Sequence, residues 1–92
     1  MKEISIYYDE HALFRLVERG SRFGLTLEES QKRVKETLFY GSESKKHLSK
    51  NHFSSCRYFP DNTTMFVIWK NGILHKKTMV RIKTIIIEAG RP

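Results

Sequence analysis

The residues whose types and spacing could do chemistry begin with a histidine and charged side chains spaced for one helix face. Three or four residues separate His11, Arg15, Glu18 and Arg22, so at about 100° per residue they fall within roughly 60° of one another. The apolar side chains of the segment fall on the opposite face: Leu13, Phe14, Leu16 and Val17. A neutral His11 could act as acid or base, whereas the helix dipole would disfavour its cation. The alternative is a solvated face in which Arg15 pairs with Glu18.

Two basic segments in the second half of the chain could contact phosphates. The stretch from Ser42 to about Asn51, which we interpret as a loop, supplies Lys45, Lys46, His47 and Lys50. A second set follows later in the chain: His75, Lys76, Lys77, Arg81 and Lys83. Its last two members alternate with apolar residues, which predicts that they lie on the outer face of a half-buried strand. Lysines contact a phosphate backbone without reading bases, so the pattern predicts a groove for RNA. The alternative for the loop is that its charges are only solvated and bind nothing.

The charge of the chain restricts its partners. Its 92 residues suffice for one domain, and 17 Lys and Arg against 10 Asp and Glu give a net charge of +7. Nucleic acid is the commonest partner of such a positive field, ahead of acidic proteins and membrane surfaces. The longest apolar run, Ile85–Ile87, is too short to span a bilayer, and no signal peptide is recognisable. We therefore expect a cytoplasmic protein that does not bind a membrane. The sequence does not specify its oligomeric state.

No metal or other cofactor is expected. His47, His52 and Cys56 lie within ten residues, but structural zinc needs four ligands, and the fourth would have to come from His11 or His75. Cys56 is the only cysteine, which excludes an internal disulfide. The sequence contains no glycine-rich phosphate loop, no nucleophile elbow and no paired carboxylates for glycoside chemistry. These absences narrow the possible chemistry.

The alternation of β-forming residues predicts four strands. They are expected at residues 3–8, at Ser55–Phe59, at Thr64–Lys70 and at Ile73–Glu88, the last bent or broken near Thr78. Between the last two strands, Asn71-Gly72 is the dipeptide most typical of a tight hairpin turn. The strands that follow the helices are therefore expected to pair antiparallel.

Two helices are predicted before the strand-rich half. The first runs from Glu10 to about Arg19, with Asp9 as its cap and Gly20 just beyond its end. The second begins at Thr26, which forms the spacing of a capping box with Glu29, and ends at Tyr40 before Gly41. The element order β-α-α-β-β-β implies a single α+β domain, residues 1–92, with both helices on one face of an antiparallel sheet.

The run H-A-L-F-R-L-V-E-R-G, from His11 to Gly20, resembles the signature H-A-x-x-R-x-x-E-R-G that opens a widespread family of small bacterial and archaeal domains. In that family a short strand precedes the motif, a second helix follows, and a β-meander ends the chain. The family is similar to the RelE and BrnT group of toxins, which are metal-independent ribonucleases of toxin–antitoxin systems. The element order also resembles that of MqsR. The resemblance implies a RelE-like fold, RNA cleavage, and an acidic antitoxin as a protein partner.

Cleavage of RNA would suit these residue types, because RNA supplies its own nucleophile, the 2′-OH. The protein must then add a base, an acid and cations for the phosphorane charge. The candidates for base or acid are His11 and His75, and those for the cations are Arg15, Arg19, Lys77 and Arg81. Two alternatives stay open: a non-catalytic module that binds nucleic acid electrostatically, and an inactive toxin homologue that binds an acidic protein.

Overall fold

Two helices and five strands make up the part of the chain that the computed structural model describes, residues 5–92. In chain order the elements are β1 (Ile6–Tyr8), α1 (Glu10–Ser21), α2 (Leu27–Tyr40), β2 (Ser42–Glu43), β3 (Phe53–Phe59), β4 (Thr63–Leu74) and β5 (Lys77–Ala89). Both helices pack against the sheet, which confirms the predicted α+β fold. The short strand β2 was not predicted, and the first two residues of the predicted strand 3–8 lie outside the described residues.

The five strands form one mixed sheet in the order β1-β5-β4-β3-β2. Strands β2 to β5 pair antiparallel, as predicted, but β1 runs parallel to β5, with Ile6 opposite Val80 and Tyr8 opposite Ile82. No hairpin joins β1 to β5, so no turn fixed their relative direction. The parallel direction brings the start of α1 over β5, where the Asp9 N–H donates to the Ile82 carbonyl at 3.3 Å.

The buried face of α1 differs from the one that the apolar periodicity predicted. The helix buries Ala12, Leu16 and Gly20, whereas three large apolar side chains of the predicted core face are 37–62% exposed: Leu13, Phe14 and Val17. The reason is the close packing of the two helices, because a Cβ at Gly20 would collide with the Ser30 hydroxyl. Small residues therefore define the packed side. Gly20 lies inside α1, which ends at Ser21, and not beyond its end as predicted.

The start of α2 follows the predicted capping box. The Glu29 N–H donates to Thr26 Oγ1 at 3.1 Å, and the Thr26 N–H donates to the Glu29 carboxylate at 3.2 Å. That backbone donor is the main reason why the pKa of Glu29 is lowered. Neither helix within residues 5–92 has the length and apolar character that a membrane crossing requires.

The hairpin turn lies at His75-Lys76 and not at the predicted Asn71-Gly72. Both turn residues have positive φ, 51° and 64°, as in a tight turn of type I′. A turn at Asn71-Gly72 would have placed Val67 opposite Lys76, although Val67 is buried. Because unpaired buried charge is costly, the burial of the strand overrides the local turn signal. The same strand pair also contains a bulge: Ile68 pairs with Thr84 and Trp69 with Ile82, which leaves Lys83 as an extra residue. The break that was predicted near Thr78 therefore lies further along the chain.

The basic stretch after β2 folds over the sheet face that points away from the helices. We call residues 44–52 the basic loop. The Ser54 hydroxyl donates to the Lys46 carbonyl at 3.0 Å, and the His47 ring packs edge-on against Phe66 with centroids 4.9 Å apart. Phe66 and Ile68 are consequently buried on this second face. The predicted loop is therefore a structural cover as well as a basic surface.

Candidate functional site

A surface groove lies where β1 leads into α1. It has a volume of about 600 Å³, and its lining combines aromatic, acidic and basic side chains: Tyr7, Asp9, Glu10, His11, Phe14 and Arg81. We call it the His11 groove. Two of the residues that the sequence indicated as catalytic, His11 and Arg81, therefore line one groove although they are 70 residues apart in the chain.

His11 is held by the next turn of its own helix. Arg15 donates its Nε–H to His11 Nε2 at 3.3 Å, and Arg15 also forms an ion pair with Glu18 at 3.2 Å. The ion pair between Arg15 and Glu18 is the one expected of a solvated helix face. Arg15 also orients the imidazole of His11 through its hydrogen bond. An Nε2 that accepts this bond carries no proton, so the ring proton lies on Nδ1. In this tautomer Nδ1 is a donor, and Nε2 becomes free to accept another proton donor only when the Arg15 Nε–H releases it.

Arg81 belongs to a row of side chains that crosses three strands. Tyr7 and Lys70 are its register partners on β1 and β4, and its guanidinium lies 5.9 Å from the centre of the Tyr7 ring. Like charges at directly opposed positions repel, and here Asp9 offsets the repulsion by accepting from Arg81 Nε at 2.8 Å. This hydrogen bond raises the pKa of Arg81 above its ordinary value. The guanidinium is thus fixed at Nε, and its terminal nitrogens keep their donors.

Three other residues that the sequence indicated as catalytic do not line the His11 groove: Arg15, which contacts His11, and Arg19 and His75. Arg19 donates to the backbone carbonyl of Ile85, and burial is the main reason why its pKa is lowered. Arg19 therefore ties α1 to β5. His75 lies in the hairpin turn, six residues before Arg81, a distance of roughly 20 Å along an extended strand. Of the five residues that the sequence indicated as catalytic, His11 and Arg81 line the groove, Arg15 contacts His11, and Arg19 and His75 lie elsewhere.

The basic loop reaches β5 close to this groove. Lys83 Nζ donates to Ser49 Oγ at 2.6 Å, two residues along β5 from Arg81. At the other end of the loop, His47 Nε2 lies 2.8 Å from a Glu88 carboxylate oxygen, and Lys46 Nζ lies 3.5 Å from the other. The contact with His47 is the main reason why the pKa of Glu88 is lowered. Lys46, His47 and Lys83 thus fix the loop to the sheet.

Unlike Lys83, which donates to Ser49, four of the cations that the sequence indicated as phosphate ligands form neither an ion pair nor a side-chain hydrogen bond with any residue in the described range: Lys45, Lys50, Lys76 and Lys77. Lys45 and Lys50 belong to the basic loop, and the other two lie at and beside the hairpin turn. Unpaired lysines keep their full charge available to a polyanion. The cationic surface is therefore divided between a part that holds the loop and a part that is free to bind.

Four residues of the groove were not indicated by the sequence as site residues, namely Tyr7, Asp9, Glu10 and Phe14. Asp9 was expected to cap α1, but its side chain makes no capping hydrogen bond and binds Arg81 instead. Tyr7 meets Arg81 only through the pairing of β1 with β5. The alternation of the first strand could have indicated that Tyr7 and Asp9 share one face, but not which strand that face joins.

Within residues 5–92, no three His, Cys, Asp or Glu side chains gather in a group that could hold a metal ion. His52 is directed to the Lys50 carbonyl at 2.8 Å, apart from His47 and its partner Glu88. A comparison with known proteins finds no matching family model and no significant match among curated proteins or solved structures.

Proposed function

We propose that this protein binds RNA and cleaves it in the His11 groove without a metal ion. The observation that carries the proposal is the shared lining of His11 and Arg81, with Arg15 hydrogen-bonded to the imidazole. An acid–base group and a fixed cation side by side are what phosphodiester transesterification needs. The resemblance of the His11–Gly20 run to the relatives of the RelE and BrnT toxins supports the same reaction class.

In the proposed reaction, a ribose 2′-OH replaces the Arg15 Nε–H at His11 Nε2, and Nε2 takes its proton while the 2′-oxygen attacks the adjacent phosphorus. The new 2′-O–P bond forms as the P–O bond to the 5′-oxygen breaks, and solvent at the open groove protonates the leaving oxygen. The charge that develops on the phosphorane is stabilised by Arg81 and Lys70, which face each other across the strands. The products end in a 2′,3′-cyclic phosphate and a 5′-hydroxyl, and atoms and electrons balance without a metal.

The surroundings of the groove support binding of a longer strand. The basic loop touches β5 at Lys83, two residues from Arg81, so Lys50 of the same loop extends the cationic surface away from the reacting phosphate. Lysines of this kind supply sequence-independent affinity that falls with salt. We therefore expect weak base preference and a strong dependence of RNA binding on ionic strength.

The test is incubation of the purified protein with a labelled single-stranded RNA in EDTA, followed by analysis of the fragment ends. The proposal predicts 2′,3′-cyclic phosphate ends and no cut at a position where a 2′-deoxynucleotide replaces the ribonucleotide. Intact RNA that is still retained at low salt would leave a non-catalytic RNA-binding protein. A cut that persists at the 2′-deoxy position would show another mechanism.

A second candidate function is supported by the exposed apolar residues of α1. Leu13, Phe14 and Val17 form a surface that is costly to leave in water, and a net charge of +7 favours an acidic partner. The chain would then act as a toxin homologue that binds an acidic antitoxin-like protein. Replacing Val17 and Leu13 by Ser would abolish that association and leave RNA retention unchanged, whereas RNA binding alone predicts no acidic protein partner.

A further inference from the structure

We propose that a second groove, at the edge of the sheet opposite to β1, binds one nucleotide of a single-stranded RNA. This groove has a volume of about 430 Å³ and lies between the end of α2, strands β2 and β3, and the last residues of the chain. Its lining includes two tyrosines and two arginines: Tyr40, Arg57, Tyr58 and Arg91. We call it the Arg57 groove. The inference rests on the proposed RNA binding, but not on cleavage.

The groove exists because the end of α2 is held tightly against β3. A Cβ at Gly41 would collide with the carbonyl oxygens of both Thr37 and Cys56, so only glycine allows this approach. The Gly41 N–H also donates to the Thr37 carbonyl at 2.9 Å, which ends the helix at this point. As a result Tyr40 lies beside β3, and the Arg57 guanidinium lies 5.4 Å from the centre of its ring.

The two arginines of the groove are available to an anion. Neither Arg57 nor Arg91 forms an ion pair within residues 5–92. Nearby Arg33 shows the contrast, because it binds Asp61 at 2.9 Å and lowers the pKa of that carboxyl. Arg57 and Arg91 instead lie over aromatic rings, a contact that leaves the guanidinium N–H donors free at their edges. Two such forks at one groove suit a phosphate.

The aromatic side chains of the groove suit a base. Tyr40 is 67% exposed, more than most large side chains of the protein. Its ring contacts Arg57 and lies 6.1 Å from the Phe39 ring between centroids, and its remaining exposed surface is one on which a base can stack. Tyr58 is oriented by its hydroxyl, which donates to Asn62 Oδ1 at 2.7 Å, and carries Arg91 over its ring at 4.7 Å. Stacking requires an unpaired base, so the ligand class is single-stranded and not duplex RNA.

The two grooves are compatible with one RNA strand. Three strand spacings separate β1 from β3, roughly 14 Å across the sheet, and the register places Arg57 level with Ile87, six residues or roughly 20 Å along β5 from Arg81. A single strand of several nucleotides is long enough to contact both sites. The second groove would then raise the affinity for longer RNA and would leave the cleavage of a dinucleotide unchanged.

The test measures binding in the His11→Asn background, so that RNA stays intact. Replacing both Arg57 and Arg91 by Gln is expected to weaken the binding of a ten-nucleotide single-stranded RNA at least fivefold. The control replaces both Lys32 and Lys35, two exposed cations of α2, by Gln; it removes the same charge and is expected to change the affinity little. Tyr40→Ala should weaken binding and Tyr40→Phe should restore it, because Phe keeps the stacking surface. Thermal unfolding of each variant confirms that it is folded.

Equal affinity of the Arg57 and Arg91 double variant and of the Lys32 and Lys35 control would overturn the inference, and the proposed cleavage would stand. Loss of affinity in the double variant of a protein that never cuts RNA would refute the cleavage and support the second groove. Binding of adenosine monophosphate tests whether the ligand is an RNA strand or a free nucleotide. Binding far weaker than that of the RNA, and sensitive to the same variants, supports an RNA strand, whereas binding as tight as that of the RNA would overturn it in favour of a free nucleotide.

Discussion

Each of the two grooves contains an arginine beside a tyrosine, but the electrostatic surroundings of the two arginines differ. In the His11 groove, Arg81 lies near Tyr7 and is fixed by the Asp9 carboxylate at 2.8 Å. In the Arg57 groove, Arg57 lies near Tyr40 and has no carboxylate partner in the described chain. A fixed guanidinium is oriented before the substrate arrives, which is what a transition state requires. A guanidinium without a carboxylate partner gains more binding free energy from an anion. We therefore propose that chemistry takes place at the first site and that the second site adds affinity.

The largest effect is expected for Arg81→Met. Removal of the fixed cation should slow cleavage of a dinucleotide by about a hundredfold or more, the usual loss for one transition-state donor. Arg57→Met is the matched control and should leave this rate unchanged, because a dinucleotide does not reach the second groove. The measurement is the single-turnover rate at saturating protein. Equal losses in the two variants would remove the distinction between the grooves.

Gly41→Ala is expected to damage the Arg57 groove selectively. Its Cβ would overlap two backbone carbonyl oxygens, and such overpacking costs roughly 1–3 kcal/mol of the free energy of unfolding. Gly24→Ala is the control, since nothing lies within 4 Å of its Cβ and only its φ of +75° makes the substitution costly. Denaturant unfolding should show the larger loss for Gly41→Ala. A smaller loss than for Gly24→Ala would mean that α2 does not pack on β3 as described.

A smaller effect is expected from the lysines of the basic loop. Lys45→Gln combined with Lys50→Gln should weaken the binding of long RNA a few fold at low salt. The slope of log affinity against log salt should fall by about 1.4, or about 0.7 for each phosphate contact to a single strand. Dinucleotide cleavage should stay the same. An unchanged salt dependence would show that RNA does not follow the basic loop.

The smallest effect is expected for Glu88→Gln, which removes the acidic partner of the basic loop. Because the folded state lowers the pKa of Glu88, its contribution to stability is present above the ordinary carboxyl value of 4.5 and is lost as the pH falls through the lowered value. The pair is partly exposed, so the contribution is about 0.2–1 kcal/mol. Unfolding measured from pH 7 to pH 3 should show a shallower acid loss in Glu88→Gln. A parallel loss in both proteins would contradict this role.

The features that the sequence predicted correctly are those that depend on neighbouring residues. Thr26 and Glu29 form a capping box within one helical turn, and the last three strands lie close to the runs of β-forming residues that predicted them. The hairpin failed because Asn71-Gly72 is a local turn signal, whereas the register depends on which residues the core accepts. The helix face of Leu13 and Phe14 failed for a similar reason, since the close contact at Gly20 selects the packed side.

The same distinction applies to the His11 groove. The spacing of His11 and Arg15 on one helix face was visible in the sequence, and the contact between them lies within one turn. The meeting of Asp9 with Arg81 joins residues 72 positions apart and depends on the parallel pairing of β1 with β5. No turn or period in the sequence specifies that pairing, so the second half of the site required the structure.

The central claim is that His11 is the acid–base group of this groove, and the most direct test is a matched pair of histidine variants. Asn replaces His11 in one, and it replaces His75 in the other, where Asn tolerates the positive φ of 51°. Both proteins lose one imidazole and keep the same formal charge. Cleavage of labelled RNA in EDTA should fall at least a hundredfold in His11→Asn and stay near the wild-type rate in His75→Asn. Equal rates in the two variants, whether high or low, would contradict the claim.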